Sequence, residues 1–240
     1  MGRLIWGFGL FVLMVACFPL AARADDWDAC LNANADVKIF GCSAIIDAGK
    51  ETIENIAGAY LHRGIAYDHK GEYERAIKDY NVAIALNPKF SDAYYNRGTA
   101  YLGKKEYDRA IRDFNKAIDL NSDYAQAYFN RGAAYYRKRD YDQAIKDYDK
   151  AIVLNPKDAV AYNNRCFAYH KKRDYDRAIK DCDKAIVLNP KFANPYYGRG
   201  LAHENLGNRK LAEADYEKVL SLNPDDKDAS EALQRLKTAP

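Results

Sequence analysis

Apolar residues recur at helical spacing along most of the chain, in pairs of stripes separated by a short polar stretch. In residues 93–122, Tyr94, Ala100 and Tyr101 fall on one face of a first helix. The stripe of the second helix consists of Ala110, Ile111, Phe114, Ala117 and Ile118. Between the stripes "GKKEYD" is a polar turn, and in most units a closing "LNP" ends the second helix, because proline disfavours helix in the residue before it. The pattern predicts a helical hairpin.

The hairpin pattern repeats every 34 residues without a gap. "AYYNRGTAYLGKKEYDRAIRDFNKAIDLNS" begins at Ala93, and "AYFNRGAAYYRKRDYDQAIKDYDKAIVLNP" begins at Ala127. The five units span residues 59–92, 93–126, 127–160, 161–194 and 195–228. One hairpin cannot bury its apolar stripe alone, whereas stacked neighbours can. We therefore predict an all-α fold in which five hairpins stack into a solenoid.

The segments that flank the repeats carry weaker helical patterns. Residues 25–58 read as a degenerate N-terminal hairpin with a truncated first helix, "DDWDACLNAN". The stripe of its second helix consists of Ile39, Cys42, Ile45 and Ile46. Residues 229–240 are amphipathic, and their apolar side consists of Ala232, Leu233 and Leu236. This last segment is predicted to be a helix that caps the final hairpin.

The first residues have the pattern of a secretory signal peptide. Arg3 precedes an apolar run over residues 4–20, and Ala22 and Ala24 supply small side chains at a cleavage site. We predict a signal peptide at residues 1–24 and a mature protein that is periplasmic or secreted and no longer inserted in the membrane. Two alternatives stay open: the run could be retained as a membrane anchor, or "LMVAC" could direct acylation of Cys17 in a lipoprotein.

The charge balance changes little once this segment is set aside. The 240-residue chain has a net charge of +3, with 30% charged residues. Without residues 1–24, which contain Arg3 and Arg23, 35 basic and 34 acidic residues would remain. A nearly neutral balance gives no electrostatic reason to expect a nucleic-acid partner.

The repeat resembles the tetratricopeptide repeat (TPR) family. In the unit that starts at Ala93, the resemblance is carried by Tyr94, Gly98, Tyr101, Ala110 and Phe114. Other units add the closing residues Pro88, Pro156, Pro190 and Pro224, and Ser122 is the exception. The resemblance implies a right-handed helical solenoid whose concave face is built from the first helices.

The resemblance also implies which residues line the concave face. The positions turned that way in the family hold Leu61, Ile65, Tyr95, Thr99, Phe129, Ala133, Tyr136, Asn163, Phe167, Tyr197 and Leu201, beside a polar series of His62, Asn96, Asn130 and Asn164. Aromatic rings give large contact area at small entropic cost, and Asn pairs with a peptide backbone. This favours a scaffold with a groove for a polypeptide partner. The carboxylate clamp of some relatives is not supported, because Leu61, Ile65, Tyr95 and Thr99 occupy its positions.

Two other interpretations of this face stay open. Tyrosine rings also stack on sugars, so a carbohydrate- or lipid-binding accessory protein is the alternative function. Some of the aromatic residues could instead pack between repeats or against the C-terminal cap. An enzyme is not expected, because the sequence lacks a phosphate-binding loop, a G-x-S-x-G motif and any His pair or Cys/His cluster at metal-binding spacing. No cofactor or metal is expected either.

Two charged positions recur in all five units. The first helices carry Arg63, Arg97, Arg131, Arg165 and Arg199, and the second helices carry Asp79, Asp113, Asp147, Asp181 and Asp215. The related family usually has Leu at the Arg position. We interpret these residues as structural ion pairs that link the two helices of a hairpin or adjacent repeats. A row of anion-binding arginines is the alternative.

The fourth repeat carries two cysteines at positions that differ in the other repeats. Cys166 replaces a glycine, and Cys182 replaces a tyrosine or phenylalanine. These positions lie on antiparallel helices near the level where the helices meet, which suits a disulfide. Cys30 and Cys42 repeat this arrangement in the N-terminal hairpin. We predict disulfides Cys30–Cys42 and Cys166–Cys182, with buried free thiols as the alternative.

Overall fold

A computed structural model describes residues 24–32 and 34–238, which form thirteen α-helices and no β-strand. The first helices of successive pairs are α1 (Ala24–Asn32), α3 (Ile53–His69), α5 (Ser91–Gly103), α7 (Ala125–Arg137), α9 (Ala159–Lys171) and α11 (Ala193–Asn205). The second helices are α2 (Ala35–Ala48), α4 (Tyr73–Leu86), α6 (Tyr107–Leu120), α8 (Tyr141–Leu154), α10 (Tyr175–Leu188) and α12 (Arg209–Leu222). The last helix is α13 (Lys227–Thr238).

Each helix packs chiefly on its partner and on the neighbouring pair, so the predicted solenoid of helical hairpins is confirmed. In four of the five repeats the two helices meet where a glycine faces a ring. A Cβ placed on Gly98 would lie 2.8 Å from Cε1 of Phe114, and one on Gly132 would lie 2.9 Å from Cε1 of Tyr148. Both rings are almost completely buried. Glycine is therefore required at this level because the ring occupies the space of a side chain.

Two predicted boundaries differ from the helices in the structure. The helix α3 starts at Ile53, so the predicted junction between residues 58 and 59 falls inside it. The cap helix α13 starts at Lys227, two residues before the predicted start at 229. Side-chain caps explain both starts: Thr52 Oγ1 accepts the backbone N–H of Asn55, and Asp226 Oδ1 accepts that of Ala229. Comparing repeats with one another does not detect these caps.

The helix α13 closes the C-terminal end of the solenoid. Ala232 and Leu236 are buried against Tyr216, and Leu233 packs beside them. Polar contacts hold the same helix: Arg235 pairs with Glu204 at 2.9 Å. The last hairpin therefore keeps its apolar surface out of water, as expected of a cap.

The predicted signal peptide, its cleavage site before residue 25 and Cys17 lie outside the described residues, apart from Ala24 at the start of α1. Within residues 24–32 and 34–238, none of the helices has the length and apolar character needed to cross a membrane.

Candidate functional site

An arginine in the first helix of each of the five repeats connects three helices. Nε and Nη2 of Arg97 donate to Oδ2 and Oδ1 of Asp113 at 2.8 and 2.7 Å, and Nη1 donates to Oδ1 of Asn81 in the preceding hairpin at 2.6 Å. The other four sets are Arg63 with Asp79 and Ser43, Arg131 with Asp147 and Asn115, Arg165 with Asp181 and Asp149, and Arg199 with Asp215 and Asp183. Three guanidinium nitrogens are thus engaged within the protein, which supports structural ion pairs over a row of anion-binding arginines.

The carboxylates of these pairs lie in the interior. Asp113 is 6% exposed and Asp147 is 5% exposed. Burial raises the pKa of Asp147, and the hydrogen bond and charge of Arg131 oppose that rise. Burial of the Asp147 carboxyl therefore opposes its ionisation, and a buried pair of this kind gains little net stability over apolar side chains. We infer that the pairs fix how hairpins are aligned with one another more than they add stability.

Both predicted cysteine pairs are joined in the structure. The Cα atoms of Cys30 and Cys42 are 4.7 Å apart, and those of Cys166 and Cys182 are 5.6 Å apart. These distances lie within the ordinary range for disulfides. The second bridge contacts the next repeat, since a Cβ on Gly198 would lie 3.0 Å from Sγ of Cys182. The helices α9 and α11 also approach each other more closely than other successive first helices do, and Gly198 stands there at the position where the other repeats have His or Asn.

Two open cavities lie along the first helices, which is where the groove is predicted. The larger one, about 600 Å³, is lined by Asp68, Tyr73, Thr99, Leu102, Gly103, Lys105, Tyr107, Ala133 and Arg137. The smaller one, about 230 Å³, is lined by Ala133, Tyr136, Arg137, Tyr148, Asn163, Asn164, Phe167 and Asn194. Ala133 and Arg137 line both cavities, so the two form one groove that runs across several repeats.

Six of the predicted groove residues line these cavities, and Ala133 lines both of them. Thr99 lines the larger cavity, whereas Tyr136, Asn163, Asn164 and Phe167 meet around the smaller one. Residues of separate repeats therefore come together at one place, which gives the groove a mixed surface of rings and amides.

Other predicted groove residues are largely committed to contacts inside the protein. The Tyr95 ring packs 4.8 Å from the Tyr124 ring and 6.0 Å from the Phe114 ring, and its hydroxyl accepts a hydrogen bond from Nδ2 of Asn130. Phe129 packs 5.8 Å from Tyr148 and borders a small cavity of about 80 Å³. These rings form the wall of the groove and at the same time hold neighbouring helices together.

The polar series is less uniform than the sequence suggests. Nδ2 of Asn96 donates to the carbonyl oxygen of Asp92 in its own helix at 2.7 Å, and Asn164 accepts from Asn163. His62 is half-buried, and both burial and the charge of Lys38 lower its pKa, which favours a neutral ring. These side chains do not form a continuous row of free amides.

Two predicted groove residues pack against the helices that flank the repeats. Leu61 is 5% exposed and belongs to the core, where Ile39 of the N-terminal hairpin packs on the same cluster. Tyr197 packs 5.7 Å from Tyr216 in the cluster that α13 covers. Both residues belong to terminal repeats, where the flanking helices pack against the concave positions, and their part in ligand binding stays a prediction.

Sequence comparison of the repeats missed Asp68, Arg137 and Asn194. The residue types at their positions vary from repeat to repeat, so these positions do not belong to the shared repeat pattern. Oδ1 of Asp68 is buried and has no hydrogen-bond partner in residues 24–32 and 34–238, and burial raises the pKa of this carboxyl. Within the described part of the chain, no group of three or more His, Cys, Asp or Glu side chains is arranged to hold a metal ion.

Family models establish the relationship of the repeats to known proteins. Models described as tetratricopeptide repeat match residues 91–124, 125–158, 147–180 and 167–237, and one described as TPR repeat matches residues 64–105. The matches cover most of the described chain and fall on the helical hairpins. The chain belongs to the tetratricopeptide repeat family.

Several solved structures share this fold. YrrB, described as "a TPR protein with an unusual peptide-binding site", is 23% identical over 80% of this chain and 97% of that chain, with a TM-score of 0.68. MamA is 27% identical over 69% of this chain and 96% of that chain, with a TM-score of 0.64. MamA 41-end from Desulfovibrio magneticus RS-1 is 21% identical over 73% and 99%, with a TM-score of 0.68. Comparison with curated protein sequences gives no significant match.

Proposed function

We propose that the protein is a non-catalytic scaffold that binds polypeptide segments along its concave groove, in the cell envelope or outside the cell. The observation that carries this proposal is the groove that runs through Ala133 and Arg137, with aromatic rings and amide groups along its wall. Two buried oxygens at the groove, Oδ1 of Asp68 and Oδ1 of Asn163, have no hydrogen-bond donor among the residues that the structure describes. An extended polypeptide offers N–H donors and apolar side chains together.

Two further findings support the proposal. YrrB, which shares the fold, is described as having a peptide-binding site, and a groove built from first helices is available for such a site here as well. The two disulfides support a location outside the reducing cytosol, because such bonds persist in oxidising compartments.

Blocking the shared part of the groove tests the binding function. We expect Ala133→Arg to weaken binding to an array of synthetic peptides at least about tenfold, because a long charged side chain would enter both cavities. The matched control is Val153→Arg, since Val153 is 71% exposed on α8, a second helix. Equal peptide binding by both variants and the parent protein would remove the groove from the proposal. Binding to envelope glycans or lipids without peptide binding would favour the alternative function.

Export makes a separate prediction about the N-terminus. If residues 1–24 are a cleaved signal peptide, the protein isolated from the envelope or the medium begins at Asp25. N-terminal sequencing and intact mass measure this directly. A chain that starts at Met1 would show a retained segment, and an acylated N-terminus at Cys17 would show a lipoprotein.

A further inference from the structure

The fourth repeat differs from the others at the concave position of its first helix. This position holds Asn163, whereas the other four repeats have Leu61, Tyr95, Phe129 and Tyr197. Asn163 is only 3% exposed, yet it lines the smaller cavity of the groove, called here the Asn163 cavity. A large apolar side chain at this position would fill part of that space. The fourth repeat therefore opens a cavity and places a polar group in its wall.

Hydrogen bonds fix how the Asn163 amide is oriented. Nδ2 of Asn163 donates to Oδ1 of Asn164 at 3.2 Å, so the amide of Asn164 is left to donate elsewhere. Burial raises the pKa of Tyr148, and a hydrogen bond from Asn164 opposes that rise, as a donor to the phenol oxygen does. Oδ1 of Asn163 accepts no hydrogen bond from any residue in the described part of the chain. A buried carbonyl oxygen without a hydrogen bond destabilises the free protein. A ligand that donates to this oxygen would therefore gain binding free energy.

The rest of the Asn163 cavity suits an aromatic ring. Tyr136, Tyr148 and Phe167 contribute aromatic surface, on which a further ring can pack edge-on or offset. The volume of about 230 Å³ is below the range of about 300–1,000 Å³ that is usual for whole small-molecule sites. One side chain of a longer ligand is a better match for this size. Arg137 leads from the cavity into the larger part of the groove, where the ligand backbone can continue.

We propose that the Asn163 cavity binds one aromatic side chain with a hydrogen-bond donor, tyrosine or tryptophan, from the bound polypeptide. The ring packs among Tyr136, Tyr148 and Phe167, and its O–H or N–H donates to Oδ1 of Asn163. This inference rests on the proposed function, because it supplies the side-chain preference of the same groove.

Small aromatic probes test the cavity without assuming a peptide ligand. We expect p-cresol to bind the full protein roughly threefold to tenfold more tightly than toluene, which has the same ring but no donor. Amide and side-chain NMR shifts around Asn163 and Phe167 report binding at this place. Asn163→Leu is expected to abolish the preference, and Asn96→Leu is the matched control, since Asn96 lies on the groove series but does not line this cavity. Equal binding of both probes, or an unchanged preference in Asn163→Leu, would overturn the inference.

The thermal stability of Asn163→Leu is a second test of the inference. Leu is the natural residue at the equivalent position of the first repeat, Leu61, so Asn163→Leu is expected to fold and to unfold at a higher temperature than the parent protein. A loss of the p-cresol preference together with increased thermal stability supports the proposal, because misfolding cannot explain it. Decreased thermal stability would show that the Asn163 oxygen is satisfied within the protein, and would overturn it.

Peptides then separate this inference from the proposed function. A peptide that binds the groove is compared with versions in which each tyrosine or tryptophan is replaced by phenylalanine. We expect one replacement to weaken binding to the parent protein and to have no effect on Asn163→Leu. Peptide binding that is sensitive to Ala133→Arg but not to Asn163→Leu would overturn the side-chain preference and leave the groove function standing. Binding of p-cresol without binding of any peptide would overturn the polypeptide as the source of the ring.

Discussion

Arg97→Leu is expected to lower the free energy of unfolding by about 3–5 kcal/mol, because it leaves Asp113 buried without its partner. The same change removes the contact with Asn81 and so weakens the junction between the first and second repeats. Urea unfolding followed by circular dichroism measures the loss. If Arg97→Leu alters ligand binding and leaves the free energy of unfolding unchanged, the result would instead favour an anion-binding role for these arginines.

Removing both partners distinguishes the effect of an unpaired charge from the value of the pair. We expect the double variant Arg97→Leu with Asp113→Leu to be within about 1–2 kcal/mol of the parent protein, since two apolar side chains no longer require solvation. The matched control is Lys104→Leu, which removes the exposed contacts of Lys104 with Glu74 and Glu106 and is expected to change unfolding little. If the double variant is as unstable as Arg97→Leu, the pair itself contributes to stability.

The ion pairs show how much of this fold can be predicted from the sequence. Arg and Asp recur 16 residues apart in every repeat, and that constant separation across a helical hairpin was enough to predict the pairs. The sequence pattern did not predict the Nη1 contact of each arginine, because the partner of Nη1 lies in the preceding hairpin. Which residue it reaches, Asn81 for Arg97 and Asp149 for Arg165, depends on how far successive hairpins are displaced.

The groove was predicted less completely, and the reason is physical. Comparison of repeats treats each unit as an interior unit, so it could not show that α13 covers Tyr197 or that the N-terminal hairpin helps to bury Leu61. It also describes residue types and not hydrogen bonds. The unpaired oxygen of Asn163 depends on the orientation of Asn164 in the folded protein, where no described residue donates to it.

In the fourth repeat, Cys166 and Cys182 occupy the two positions that form a packing contact between the helices of the other repeats. In other repeats the same two positions hold a glycine and a ring, and a Cβ on the glycine would lie less than 3 Å from that ring. A ring at position 182 and a side chain at position 166 are therefore expected to exclude each other. Cys182→Tyr alone should be severely destabilising, because it breaks the buried disulfide and overpacks the space beside Cys166. The lost bridge, with its 16-residue separation, accounts for about 3 kcal/mol in the chain-entropy model.

Adding Cys166→Gly to Cys182→Tyr is expected to recover part of this stability, because it recreates the glycine and ring of the neighbouring repeats. The expected order of unfolding midpoints in urea, without reductant, is parent protein, then the double variant, then Cys182→Tyr. Gly132→Cys is the mirror control, since it places the same side chain against the ring of Tyr148 and should be similarly harmful. Equal midpoints for the single and double variants would mean that ring and side chain do not compete. The two cysteines would then act only as a cross-link, and not as a substitute for the packing that joins the helices in every other repeat.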